Sequence, residues 1–88
     1  MKQALGIVEV RSLSAAIQAL DTMVKSASVE VVKLERVGSG IVAAMITGEV
    51  AAVSAAVENA RDAVDGMAEL ISVNVIPRPD NEVDRLLW

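Results

Sequence analysis

The 88-residue chain contains no cysteine and no histidine. The first absence excludes a disulfide staple, a zinc ribbon, a thiol nucleophile and a thiol redox motif. The second excludes a Ser-His-Asp triad, an imidazole general base near neutral pH and an ordinary His-based metal site. Trp88 is the single aromatic residue and also the last one, so stacking platforms for single-stranded nucleic acid are missing. Twelve acidic residues outnumber eight basic ones, for a net charge of −4 and an isoelectric point near 4.6. That balance disfavours binding to nucleic acid or an anionic membrane. No apolar run approaches the ~20 residues of a bilayer span. The opening residues Met1 to Leu5 run straight into a strand-like pattern carrying Glu9, without the apolar stretch and cleavage site of a signal peptide. The expectation is a soluble, cytoplasmic protein with no nucleic-acid and no membrane partner.

What is present is aliphatic. Hydrophobic residues make up 53% of the chain and the mean hydropathy is +0.48, high for a small soluble monomer whose surface should be mostly polar. Either other copies of the chain hide part of the Ala, Val and Ile surface, or apolar patches are left exposed. The length implies one domain over residues 1–88.

Hydropathy periods divide the chain. Residues 3–11 read as a strand. Ser12 is placed to cap a helix whose stripe is Leu13, Ile17, Leu20 and Val24, widened by Ala16, Met23 and Ala27. Residues 29–37 alternate, with Val29, Val31, Lys33 and Glu35 on one face and Glu30, Val32, Leu34 and Arg36 on the other. After Gly38-Ser39-Gly40 a β-branched strand runs from Ile41 to Thr47, so the pair reads as a hairpin with a three-residue connection. A second helix carries Val50, Val53, Val57, Ala60, Val64 and Met67 opposite Ser54, Glu58, Arg61, Asp62 and Asp65, and Gly66 marks its end. Leu70 to Ile76 is a fourth strand, closed by Pro77-Arg78-Pro79. Asp80 can cap a short last helix with Val83, Leu86 and Leu87 on one side. The order β-α-β-β-α-β predicts an α+β, ferredoxin-like fold: one antiparallel sheet, two helices on one face and a short C-terminal helix.

Few residues suggest chemistry. Gly38-Ser39-Gly40 allows positive φ and close backbone approach, so it reads either as a plain hairpin turn or as a loop offering the Ser39 N–H and hydroxyl to a ligand or a symmetry axis. It is no P-loop, since no Gly-Lys-Ser/Thr follows and it joins two strands. Asp21 and Lys25 form an i, i+4 pair of the kind common on exposed helix faces. Asp80, Glu82 and Asp84 lack the glycine and closing glutamate of a calcium loop, so no metal is expected. Arg78, held between two prolines, reads as an exposed turn charge or as a guanidinium set to meet a partner in one geometry. No catalytic constellation forms. The reading is of a non-enzyme that needs no cofactor.

Four segments nevertheless resemble one family in order: Ala4-Leu5-Gly6-Ile7-Val8-Glu9-Val10-Arg11, Asp21-Thr22-Met23-Val24-Lys25-Ser26-Ala27, Arg36-Val37-Gly38-Ser39-Gly40 and Val75-Ile76-Pro77-Arg78-Pro79. They are similar to the single-domain, hexamer-forming BMC shell proteins of bacterial microcompartments. The resemblance implies a homo-hexamer that tiles with neighbouring hexamers and other shell proteins around encapsulated enzymes. It implies that Gly38, Ser39 and Gly40 line a central pore for small polar metabolites, with Arg36 at the pore rim. It also implies that Lys25 and Arg78 lie at the hexamer–hexamer edge, with Asp21 one turn before the lysine. In such a pore, converging Ser39 N–H groups and hydroxyls favour polar solutes and anions. This chain departs from the family's usual pattern at Ser28, Leu34, Asp80 and the Leu86-Leu87-Trp88 tail. A rival expectation from the same element order is an ACT- or PII-like regulatory domain that binds a small ligand between two or three subunits.

Overall fold

A computed structural model describes residues 3–87. The elements are β1 (Ala4–Val10), α1 (Leu13–Ser26), β2 (Glu30–Gly38), β3 (Ile41–Gly48), α2 (Val50–Val64), β4 (Leu70–Ile76) and α3 (Asn81–Leu87). The four strands make one antiparallel sheet in the order β2-β3-β1-β4, which is the ferredoxin-like arrangement the element order predicts. α1 lies mainly over β3 and α2 over β1 and β4, and the helices also pack on each other.

Strand pairing decides which side chains meet the helices. Val8 pairs with Ala44 and Val10 with Val42, and paired residues point to the same face. These residues, Ile46, and the inner faces of both helices form one buried cluster. β1 and α2 come especially close at Gly6. A β-carbon there would stand 2.7 Å from Val53 Cγ1, 3.0 Å from Val57 Cγ2 and 3.1 Å from Ile46 Cγ1. A hydrogen is what lets the helix settle on the strand.

α2 buries Val53, Val57, Ala60 and Val64 of its expected stripe, while Val50 is exposed and Met67, also exposed, lies beyond the helix end. The helix ends at Val64, and Gly66 follows at φ 81° to reverse the chain. α1 departs further. Its buried side chains are Ala15, Ala16, Ala19 and Met23, whereas Leu13, Ile17 and Val24 from the expected stripe are exposed. The cause is helix–helix distance: two helices pressed together on one sheet select small residues at their contact, so the bulkier apolar stripe turns outward.

β2 departs as well. Its register against β3 shifts between Val31 and Lys33. Val31 pairs with Ile46 and Leu34 with Ala44, so Val31 shares a face with Leu34 and Arg36 rather than with Lys33 and Glu35. One inserted residue reverses the alternation from there on. At the C-terminus, Asp80 caps α3 as expected, its Oδ1 accepting the Glu82 N–H at 2.9 Å. Val83 and Leu87 are half-buried, but Leu86 is 78% exposed and off that side. Among the described residues no helix is long and apolar enough to cross a membrane.

Candidate functional site

The β2–β3 turn is tighter than the sequence suggests. Gly38 belongs to β2 and pairs with Ile41, leaving Ser39-Gly40 as a two-residue loop. Gly38, Ser39 and Gly40 have φ of 119°, 56° and 79°. Positive φ at both central positions is what a type I′ hairpin turn requires. Ser39 is the sole non-glycine residue at positive φ among the described residues, a conformation costing an L-residue roughly 1 kcal/mol. The turn is fully exposed, so its backbone groups are available to whatever faces it.

The turn is anchored from one side by Arg11, the residue following β1. Arg11 Nη1 donates to the Ser39 carbonyl. Its Nε donates to Glu69 Oε1 at 3.0 Å, and its backbone N–H donates to the Glu69 carbonyl at 3.0 Å. One guanidinium fork therefore joins the start of β4 to the hairpin turn. Arg36 lies near the end of β2, paired with Val42 and hence on the helix side. It has no ion-pair partner among the described residues. Arg11, Arg36, Gly38, Gly40 and the Ser12-Leu13 start of α1 line an open groove of about 510 Å³. Ser12 Oγ closes that helix start by accepting the Ala15 N–H at 3.1 Å.

The remaining sequence candidates lie elsewhere. α1 starts at this groove and runs 14 residues away from it, about 21 Å, to Lys25 in its last turn. Lys25 Nζ is 2.9 Å from Asp21 Oδ2. β4 starts opposite Val10, at the turn end of the sheet, and finishes at Ile76 opposite Leu5. Arg78 follows two residues later, exposed and without an ion-pair partner among the described residues, beside the buried Pro79. The structure thus groups Arg36, Gly38, Ser39 and Gly40 at one end of the sheet and places Asp21, Lys25 and Arg78 toward the other. Lys25 pairs with Asp21, and no ion pair among the described residues involves Arg78. Of the three C-terminal acids, Asp80 caps the helix and Glu82 pairs with Arg85 at 3.3 Å. Sequence reasoning missed Arg11 and Glu69, since both of their bonds span distant parts of the chain.

Comparison with known proteins finds relatives along nearly the whole chain. Residues 4–79 match the BMC domain family. The chain is 45% identical over 86 residues to the bacterial microcompartment shell protein PduA of Salmonella typhimurium, covering 98% of this chain and 92% of the relative. It is 43% identical over 84 residues to the bacterial microcompartment shell protein EutM of Escherichia coli K12, covering 96% and 87%. It is 42% identical over 85 residues to the carboxysome shell protein CsoS1A of Hydrogenovibrio crunogenus, covering 96% and 88%. A crystal structure of a microcompartments protein from Desulfitobacterium hafniense superposes with a TM-score of 0.84 at 28% identity. That match takes in 94% of this chain but 45% of the longer chain it is compared with. Fold, element order and near full-length identity to three shell proteins converge on one conclusion: the chain belongs to the BMC-domain family of bacterial microcompartment shell proteins.

Proposed function

We propose that residues 1–88 act as one non-enzymatic shell domain, which forms cyclic hexamers that tile with each other and with related shell proteins into a microcompartment wall in the bacterial cytoplasm. Enzymes are enclosed behind that wall. The β2–β3 turns of six copies meet at the ring axis, where Gly38, Ser39 and Gly40 line a pore for small polar metabolites and Arg36 borders its mouth. Lys25 and Arg78, with Asp21 steadying the lysine, hold ring to ring at the outer edge.

The observation that carries this reading is the separation of the two residue groups to opposite ends of a thin protomer of 34 × 26 × 16 Å. A wedge in a ring needs one end for the axis and the other for the rim. The flanks support it. Val31 and Leu34 on edge strand β2, with Leu13, Ile17 and Val24 on the neighbouring α1, leave one flank apolar, and Leu70 and Ile76 on edge strand β4 leave apolar surface on the other. Two different flanks that each need cover suit a head-to-tail contact, and such contacts close into rings.

Sedimentation tests the ring and electron microscopy tests the sheet: six copies per particle and extended hexagonal sheets are expected. Two or three copies would overturn the proposal in favour of a ligand-binding regulator. Ser39→Leu keeps the rings and narrows the pore, so flux of a polar substrate to an enclosed enzyme falls. Unchanged flux through a channel seen to be blocked would refute the gating role.

A further inference from the structure

Resting on the ring proposed above, we infer that Arg11, steered by Glu69, is the positioning residue that makes the turn present hydrogen-bond donors to the channel and so sets its preference for anionic and acceptor-bearing solutes. The peptide unit between Ser39 and Gly40 decides which groups face outward. A trans peptide is planar, so its carbonyl and N–H point in opposite directions. Arg11 Nη1 takes the Ser39 carbonyl from the groove side, which aims the Gly40 N–H away from that guanidinium, out of the turn. The Ser39 and Gly40 N–H groups have no partner among the described residues. The turn therefore shows two free donors and the Ser39 hydroxyl, while the carbonyl that would attract cations is occupied. Consecutive N–H groups of this kind make an anion-binding concavity.

This orientation needs holding. The unit turns about Ser39 ψ and Gly40 φ, and glycine resists such rotation less than any other residue type. Glu69 supplies the restraint. It fixes Arg11 twice, through Nε at 3.0 Å and through the Arg11 N–H to its own carbonyl at 3.0 Å. The Arg11 and Glu69 side chains are 42% and 64% exposed, so their ion pair adds little to stability. Its effect is directional. A planar fork with one nitrogen pinned to a carboxylate delivers the other to a defined place. At Gly40, a β-carbon would lie 3.4 Å from Arg11 Cγ, so glycine also leaves the arginine stem its path.

Glu69→Ala separates positioning from charge, because the two give opposite signs. Removing an acid near the channel by charge alone strengthens anion binding. If Glu69 acts by steering Arg11, its loss frees the Ser39–Gly40 peptide and weakens anion binding. Crystals of the assembled protein, soaked in sodium bromide or rubidium chloride and measured by anomalous scattering, read both the peptide orientation and the ion. Bromide is expected at the wild-type turn. In Glu69→Ala its occupancy falls by roughly twofold or more, the worth of one net hydrogen bond, and the Ser39 carbonyl turns from the groove. Equal or greater bromide in Glu69→Ala, or an unmoved carbonyl in Arg11→Met, would overturn the inference while leaving the ring intact. If the wild-type protein forms no ring, the proposed function fails and the channel preference with it. The carbonyl in Arg11→Met crystals then still decides the positioning role.

Discussion

Lys25→Ala should separate folding from tiling. Lys25 Nζ lies 2.9 Å from Asp21 Oδ2, and the two side chains are 74% and 47% exposed. An exposed i, i+4 pair contributes ~0.3–0.5 kcal/mol. A cation in the last helical turn adds ~0.3–1 kcal/mol at low salt, and alanine's better helix propensity offsets part of the loss. The protomer should therefore lose less than about 1 kcal/mol, small against a typical total of about 5–15 kcal/mol. On the proposed assembly the lattice responds differently, because one substitution acts at every edge of a ring. If each of about six lysines per ring gives up the worth of one hydrogen bond, about 1 kcal/mol, a tile loses about 6 kcal/mol. At 1.4 kcal/mol per tenfold, the concentration needed for sheet growth rises by about four decades. Urea unfolding at fixed protomer concentration, sedimentation, and electron microscopy over a dilution series measure the three quantities together. Sheets at the wild-type concentration would refute the edge role. Loss of the ring, or a stability drop above about 2 kcal/mol, would show that Lys25 serves the fold instead.

Three further outcomes follow from the packing. Gly6→Ala forces a β-carbon to within 2.7 Å of Val53 Cγ1 and should cost about 1–3 kcal/mol in urea unfolding; adding Val53→Ala should restore part of it, and additive losses would contradict the contact. Ile17→Glu alters a residue that is 52% exposed in the protomer, so helix content by circular dichroism should hold while sedimentation shows broken rings. Rings that persist would remove that face of α1 from the subunit contact. Ser12→Ala loses the oxygen that accepts the Ala15 N–H at 3.1 Å and should lower stability by about 1 kcal/mol, whereas Ser12→Gly should lower it by only a few tenths.

The fold was legible where polarity contrast was strong. α2 could be oriented from sequence because Val53, Val57 and Val64 lie opposite Glu58, Asp62 and Asp65. α1 could not, because its apolar residues are too many for one face, and Leu13, Ile17 and Val24 compete with Ala15, Ala16 and Ala19 for the core. Large residues look like the core, yet close contact with α2 filled the interior mainly with Ala15, Ala16 and Ala19, with Met23 the one large side chain of α1 fully buried. The shift after Val31 was hidden for a related reason: a two-residue period cannot reveal an inserted residue when valines occupy both parities. At the candidate site, Gly38, Ser39 and Gly40 were readable because positive φ has a compositional signature. Arg11 was not. Its partners Ser39 and Glu69 are 28 and 58 positions away, and no local pattern encodes a contact of that span.

The opposite-end placement of the turn and the edge residues has an engineering consequence. β3 leaves the turn at Ile41 and ends at Gly48, with Val42, Ala44 and Ile46 locked in the core, so a change at Ser39 reaches the outer rim only by deforming a packed sheet. On the proposed assembly, pore chemistry and lattice constant are then orthogonal variables. Tiles with different permeabilities could share one wall without mismatch at their seams, and the composition of the mixture would set what the barrier admits.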